Sequence, residues 1–217
     1  MNITDKARGI LAQHGVDIDQ LGDAPPVDVT AILLENATAA YNAFVPEEFV
    51  DSCIENPEVD DWIGRFLAGA SVPPLLMLGG LGTGKSSHCY AAVRECLFGR
   101  ARQRQTLTWH LTSYAKFNAA MRPTSDDGHL TAFANAERVE LLVLDDLGAG
   151  ISTDWTADTL YRLVDERWAR HRATIVTSNF TPEQLEQKID PRVVSRLASG
   201  RVVRLKGRDR RFTGGRR

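Results

Sequence analysis

Little in this chain offers a covalent or metal staple. Only three cysteines occur in 217 residues, and no two of them form a C-x-x-C pair. Cys89 and Cys96 stand seven apart, about 10 Å along a helix, which is too far for a disulfide. A disulfide scaffold is therefore excluded, and reduced thiols are expected. Long apolar runs are equally scarce. The longest, Val72 to Leu81, is broken by Pro73, Pro74, Gly79 and Gly80, far short of the roughly 20 residues a bilayer span needs. Met1 to Gly15 has neither an apolar core nor a small-residue cleavage site, so no secretory signal is read and a cytoplasmic protein without membrane contact is expected.

What is present is an ordinary globular composition, 43% hydrophobic and 25% charged, at a length that holds one α/β domain and a short appendage. The net charge of −2 conceals an asymmetry. Residues 1–62 carry 13 acidic side chains against Lys6 and Arg8, while residues 192–217 carry 10 basic ones against Asp209. A basic end can neutralise phosphates; an acidic end cannot. Both ends also serve simply as solvated charge.

Residues 1–22 read as a short amphipathic helix, with Ile3, Ala7, Ile10 and Leu11 at helical spacing, broken by Ala24-Pro25-Pro26. A second helix is expected from about Val29 to Phe44, and a third around Val59 to Leu67 with Pro57 near its start. From residue 75 short apolar runs alternate with helix-length patterns, which predicts a parallel sheet with crossover helices. The expected strands are Leu75–Leu78, Thr106–Trp109, Leu141–Leu144, Thr174–Thr177 and Val202–Leu205. Ligands on such sheets bind beyond the carboxyl ends of the strands.

Three motifs fall at those ends. After the first strand, Gly79-Gly80-Leu81-Gly82-Thr83-Gly84-Lys85-Ser86 fits the phosphate-binding pattern G-x-x-x-x-G-K-[ST] with a helix following. Its glycines let several backbone N–H groups converge on phosphate oxygens, Lys85 adds a point charge, and Ser86 offers a Mg²⁺ ligand. Gly80, Gly82, Thr83, Gly84, Lys85, Ser86 and Ser87 are the expected ATP-binding residues. The third strand ends in Asp145-Asp146, where one acid can hold Mg²⁺ and its neighbour can orient or deprotonate water; Asp145 is assigned to the metal and Asp146 to the water. The fourth strand ends in Ser178-Asn179, either an ordinary turn and cap or an amide that reports the γ-phosphate.

The set GGLGTGKSSH, LLVLDDLG, TIVTSN and VVSRLASG, with RDRR near the end, resembles the AAA+ ATPases of the DnaC type, the replicative helicase loaders, and their relatives the IstB transposition helpers. The resemblance covers about residues 45–211. PEEFVDSCIENPEVDDW is similar to the segment that precedes the phosphate loop in such proteins, and DWTADTLYRLVDERW follows the acidic strand in the expected order. The resemblance implies a P-loop NTPase three-layer sandwich with a five-stranded, mainly parallel sheet. It also implies a short acidic helical arm over residues 1–45, an ATPase domain over 46–211 and a flexible basic tail over 212–217. It carries over Lys85, Ser86, Asp145 and Asp146 as above, Asn179 as the sensor asparagine, and Arg196 as the arginine finger that reaches ATP bound to a neighbouring subunit. Arg192, four residues earlier, is the alternative finger. ATP and Mg²⁺ are the implied cofactors; a replicative helicase, single-stranded DNA and further copies of the chain are the implied partners.

In this family a helical insertion after the second strand contacts single-stranded DNA. It corresponds here to about Thr112–Ala134, where Lys116 and Arg122 can meet phosphate and Tyr114 and Phe117 can either stack on bases or form a core stripe. Against the family's pattern, neither a zinc-bound N-terminal domain nor a full C-terminal lid is expected here, so Arg208, Arg210 and Arg211 have no secure role. Asp146 is also one methylene shorter than the usual glutamate, which leaves open an ATP-gated DNA-binding adaptor with weak hydrolysis beside the loader and the transposition helper. A small-molecule phosphotransferase is the less expected reading, since it would need an acceptor lid after the sheet.

Overall fold

The computed structural model describes residues 27–122, 128–149 and 154–207. The expected helix of residues 1–22, the basic tail of 212–217, and Arg208, Arg210 and Arg211 lie outside them. Five strands form one sheet in the order β2-β3-β4-β1-β5: β1 is Leu75–Leu78, β2 Trp109–Ser113, β3 Leu141–Asp145, β4 Ala173–Ser178 and β5 Arg201–Arg204. Every pairing is parallel. A parallel sheet needs helical crossovers on its faces, and eight α-helices are described: α1 Val29–Asn42, α2 Pro57–Leu67, α3 Lys85–Arg102, α4 Tyr114–Ala120, α5 Gly128–Arg138, α6 Asp154–Ala169, α7 Pro182–Glu186 and α8 Pro191–Ala198. Among the described residues no helix is long and apolar enough to cross a membrane.

The strands are covered on both faces, which makes three layers. Leu75 and Met77 of β1 join Leu141, Val143 and Ile175 in a core with α1, α2 and α3. The alternate residues Leu76 and Leu78 join Leu142, Leu144 and Val176 in a second core with α4, α6 and α8. That period-2 alternation between two buried faces is why these strands read as unbroken apolar runs. Helix starts follow local chemistry: Asn56 accepts from the Glu58 and Val59 amides ahead of Pro57 at the first turn, and Asp190 accepts from Arg192 ahead of Pro191. Helix α1 contributes Ala37 and Tyr41 to the first core.

One strand is displaced from its expected position. β2 runs Trp109–Ser113, not Thr106–Trp109. It is an edge strand in which only Leu111 is fully buried, so its hydrophobic signal is weak. Thr108, just before it, instead gives its backbone N–H and hydroxyl to the Glu140 carboxylate at 2.8 and 3.0 Å.

Arg167 on α6 is 1% exposed and has no carboxylate partner among the described residues. Its guanidinium donates to the carbonyls of Ala136, Val139 and Ala173 at 2.9, 2.8 and 2.6 Å, and to the Thr174 hydroxyl at 2.9 Å. Burial, followed by the neighbouring charge of Arg172, pulls it down to about 9, so it remains a cation at neutral pH. It ties the end of α5 to the start of β4. Arg167→Met should lower stability by about 3 kcal/mol or more, because the carbonyls lose their donor in a dry site. Thermal unfolding should show a melting temperature lower by roughly 6–12 °C, and an unchanged value would remove this role.

Candidate functional site

The site lies beyond the carboxyl ends of β1, β3 and β4. The loop from Gly79 to Gly84 leads from β1 into α3, with Gly82 and Gly84 at φ 69° and 89°. These values lie in the left-handed region that favours glycine. At Gly79 a β-carbon would come within 2.5 Å of the Leu205 carbonyl oxygen, so the loop is also held close to the strand beyond it. The Thr83 hydroxyl donates to the Gly80 carbonyl at 2.9 Å and braces the turn.

Lys85, 7% exposed, donates from Nζ to the carbonyls of Gly79 and Gly80 at 2.8 and 2.7 Å and to Asn179 Oδ1 at 2.6 Å. The other end of the Asn179 amide donates to Asp146 Oδ1. One side chain therefore links Lys85, at the start of α3, to Asp146, just past β3. Ser86 Oγ donates to Asp145 Oδ2 at 2.8 Å, so the two expected Mg²⁺ ligands are already neighbours. Both present hard oxygen donors, the chemistry Mg²⁺ prefers when it completes its shell with water and phosphate. Among the described residues there is no group of three or more His, Cys, Asp or Glu that could hold a metal; a two-ligand site is of the kind that relies on bound phosphate.

Asp146 adopts φ 61°, a left-handed conformation that aspartate and asparagine tolerate better than most side chains. This turn ends β3 and carries the carboxylate onto Asn179. Thr177 fixes both acids: its hydroxyl donates to Asp145 Oδ1 at 2.5 Å and accepts from the Asp146 amide at 2.9 Å. Sequence reasoning missed Thr177; its signal is its place on β4 two residues before Asn179. His88, 2% exposed, was also missed; its ring nitrogens meet the Gly84 carbonyl at 2.9 Å and the Glu55 amide at 3.4 Å. Ser87, expected among the ATP-binding residues, shares a 2.8 Å hydrogen bond with Ser52. All three cysteines are free. Cys89 is buried beside Asp145, and burial, reinforced by that carboxylate, holds its thiol well above its ordinary value.

Arg196 stands apart from this cluster. It lies on α8 and donates from Nε to Asp165 Oδ1 at 2.5 Å and from Nη2 to the Tyr161 hydroxyl at 3.3 Å, both on α6. Arg192 forms an ion pair with Asp190 and lies 3.9 Å over the Tyr161 ring. The structure thus brings Lys85, Ser86, Asp145, Asp146 and Asn179 together and leaves both candidate fingers on the α6–α8 face.

Of the two readings of Tyr114 and Phe117, base stacking or a core stripe, the structure shows the core stripe. They are 1% and 2% exposed and belong to the second core, where their three-residue spacing forms the buried stripe of α4. Lys116 and Arg122 are exposed.

Residues 70–204 match the family model described as IstB-like ATP binding protein. Among curated proteins the chain is 30% identical over 131 residues to the chromosomal replication initiator protein DnaA of Sphingopyxis alaskensis, covering 60% of this chain and 28% of that one. Among solved structures it resembles the DnaC helicase loader with a TM-score of 0.61 and 18% identity, covering 74% of this chain and 100% of that chain. It resembles DnaI with a TM-score of 0.60 and 19% identity, covering 77% and 94%. It also resembles the replication initiator DnaA bound to AMPPCP and single-stranded DNA, with a TM-score of 0.61 and 21% identity over 76% and 52%. The chain spans 28% of its curated relative and about half of the solved DnaA. The likenesses to solved structures bear out the fold, an α/β sandwich built on a five-stranded parallel sheet.

Proposed function

Because this chain belongs to the IstB-like ATP binding protein family, matched over residues 70–204, we propose that it is a Mg²⁺-dependent ATPase that assembles on single-stranded DNA and loads or remodels a replicative helicase in the cytoplasm. The observation that carries the chemistry is the Lys85–Asn179–Asp146 link. On this reading Lys85 exchanges the Gly79 and Gly80 carbonyls for β- and γ-phosphate oxygens, with the amides of Gly80 to Ser87 around them. Ser86 and Asp145 would hold Mg²⁺, which when bound would supply positive charge to offset the charge that develops on the phosphates. Asp146 takes the proton of the attacking water, and Asn179, released by Lys85, turns to the γ-phosphate and orients that water. Arg196 from a neighbouring copy stabilises the transition state.

Asp146→Asn tests the assignment of the base. Asparagine accepts the left-handed backbone and keeps the side-chain shape but cannot accept a proton. ATP affinity should stay within about threefold while turnover falls by about 100-fold or more; undiminished multiple-turnover hydrolysis would move the base elsewhere.

The IstB-like match favours a second reading, a transposition helper with the same chemistry and a transposase as partner. Co-purification separates the two: retention of a replicative helicase in the presence of ATP supports the loader, and retention of a transposase alone supports the helper. Should turnover stay negligible even with single-stranded DNA, an ATP-gated adaptor is the better description.

A further inference from the structure

In a parallel sheet every crossover helix returns to the starting edge, so helix C-termini and strand starts share the end opposite the phosphate loop. In this molecule that end is rich in arginine. Arg100 and Arg102 close α3, and Arg104 follows them before β2. Arg138 closes α5 before β3, and His171 and Arg172 precede β4. Strands β2, β3 and β4 are neighbours in the sheet, so these side chains form a row. Among the described residues no carboxylate pairs with Arg100, Arg102, Arg104, Arg138 or Arg172.

The row borders a cleft of about 210 Å³ whose walls include Phe66, Arg100, Glu140, His171 and Arg172. Arg100 lies 4.9 Å over the Phe66 ring, donates from Nη1 to Gln105 at 2.5 Å, and has a buried Nε with no hydrogen-bond partner. The carboxylate on the wall, Glu140, accepts from the Thr108 amide and hydroxyl. Arg172 donates to the Glu137 carbonyl.

Arginine at a helix C-terminus is ordinarily explained by the helix dipole. Two features go beyond that. Arg104 and His171 adopt φ 59° and 51°, each just past a helix end closed by paired amide bonds, Arg104 to Ala101 with Gln105 to Arg100, and His171 to Trp168 with Arg172 to Arg167. Glycine is the residue that fits this cap without strain, and the third such cap, after α2, has Gly69 at φ 76°. At two of these three caps among the described residues a large side chain, Arg104 or His171, stands where glycine would fit without strain.

We propose that this end of the sheet is a second nucleic-acid face, which binds the phosphate backbone of duplex DNA independently of ATP. Three strands at about 4.8 Å spacing give a row of roughly 10 Å, the reach of about three phosphates on one strand. The row is guanidinium-dense and offers charge in place of a stacking platform, which favours duplex backbone over single strands. The proposal does not rest on the ATPase reading, because the two faces lie at opposite ends of the strands.

The test is anisotropy of a labelled duplex of arbitrary sequence, titrated with the full chain without nucleotide between about 50 and 200 mM salt. Wild type should bind with a log–log salt slope near −2.7, about 0.9 for each of three phosphates. Arg104→Gly and Arg172→Gln should each weaken binding by about 3–10-fold and flatten the slope by about 0.9. Arg104→Gly should also raise the melting temperature by a degree or more, since it relieves the left-handed strain. Both variants should keep wild-type affinity for a fluorescent ATP analogue. A melting temperature that rises with duplex affinity unchanged would overturn the proposal. So would binding confined to single strands in the presence of ATP, or competition by polyglutamate as strong per charge as by DNA. Arg102→Gln, at an exposed position, repeats the test should either of the other variants fail to fold.

Discussion

Lys85→Ala should abolish measurable ATP binding, with affinity lower by about 100-fold or more. The ammonium is the one charge that the loop directs inward, and a hydrogen bond to a charged group contributes about 1.5–3 kcal/mol, so losing two phosphate contacts corresponds to at least two powers of ten. The substitution also removes the donor from Asn179 Oδ1 and the Gly79 and Gly80 carbonyls, which loosens the tie between β1 and β4. Titration with a fluorescent ATP analogue measures the first effect, and thermal unfolding shows that the variant remains folded. Wild-type affinity in a folded variant would sink the site assignment.

Arg196→Ala should leave ATP affinity nearly intact and cut hydrolysis by about 1,000-fold, the lower end of what arginine fingers supply. A finger acts on charge that develops in the transition state, so its loss appears in turnover and not in ground-state binding. Within its own chain Arg196 is held by Asp165 and Tyr161, a hold it would have to release to reach a neighbour's phosphate. Mixing decides the matter. A protein with Lys85→Ala and one with Arg196→Ala, each inactive alone, should together recover part of the wild-type rate, since mixed interfaces pair one intact loop with one intact finger. The specific rate should also rise with protein concentration. A rate strictly proportional to protein, with no recovery on mixing, would leave a monomeric ATPase.

The phosphate loop and the acidic strand were legible because both follow strands buried on two faces, whose apolar runs end abruptly in functional residues. Leu141 to Leu144 have no exposed face to carry polar side chains, so Asp145-Asp146 stands out. β2 was not legible in the same way. As an edge strand with one buried residue it resembles a loop, and the Thr106–Trp109 run drew attention to the wrong side of it. Tyr114 and Phe117 show the limit of spacing as a guide, since three residues apart suits a stacking platform and a core stripe equally until packing decides. Arg167 was hidden by its neighbours. In DERWARHR it reads as one more surface charge, and only the convergence of carbonyls from α5 and β4 reveals a buried staple.

The ends of β1, β3 and β4 are joined by more than their ladders. The Leu147 amide bonds to the Thr177 carbonyl at 2.7 Å, the Ser178 hydroxyl to the Leu147 carbonyl at 2.6 Å, and the Gly79 amide to the Ser178 carbonyl at 3.2 Å. Three strand ends cross-stitched in this way form an anvil, the surface on which the proposed nucleotide would bear. On the proposed reading the nucleotide's message needs no bending of the sheet. It travels as a change of grip, with Asn179 letting go of Lys85 and the α6–α8 face trading its hold on Arg196 for a neighbour's phosphate, so that the molecule works as a latch and not as a lever.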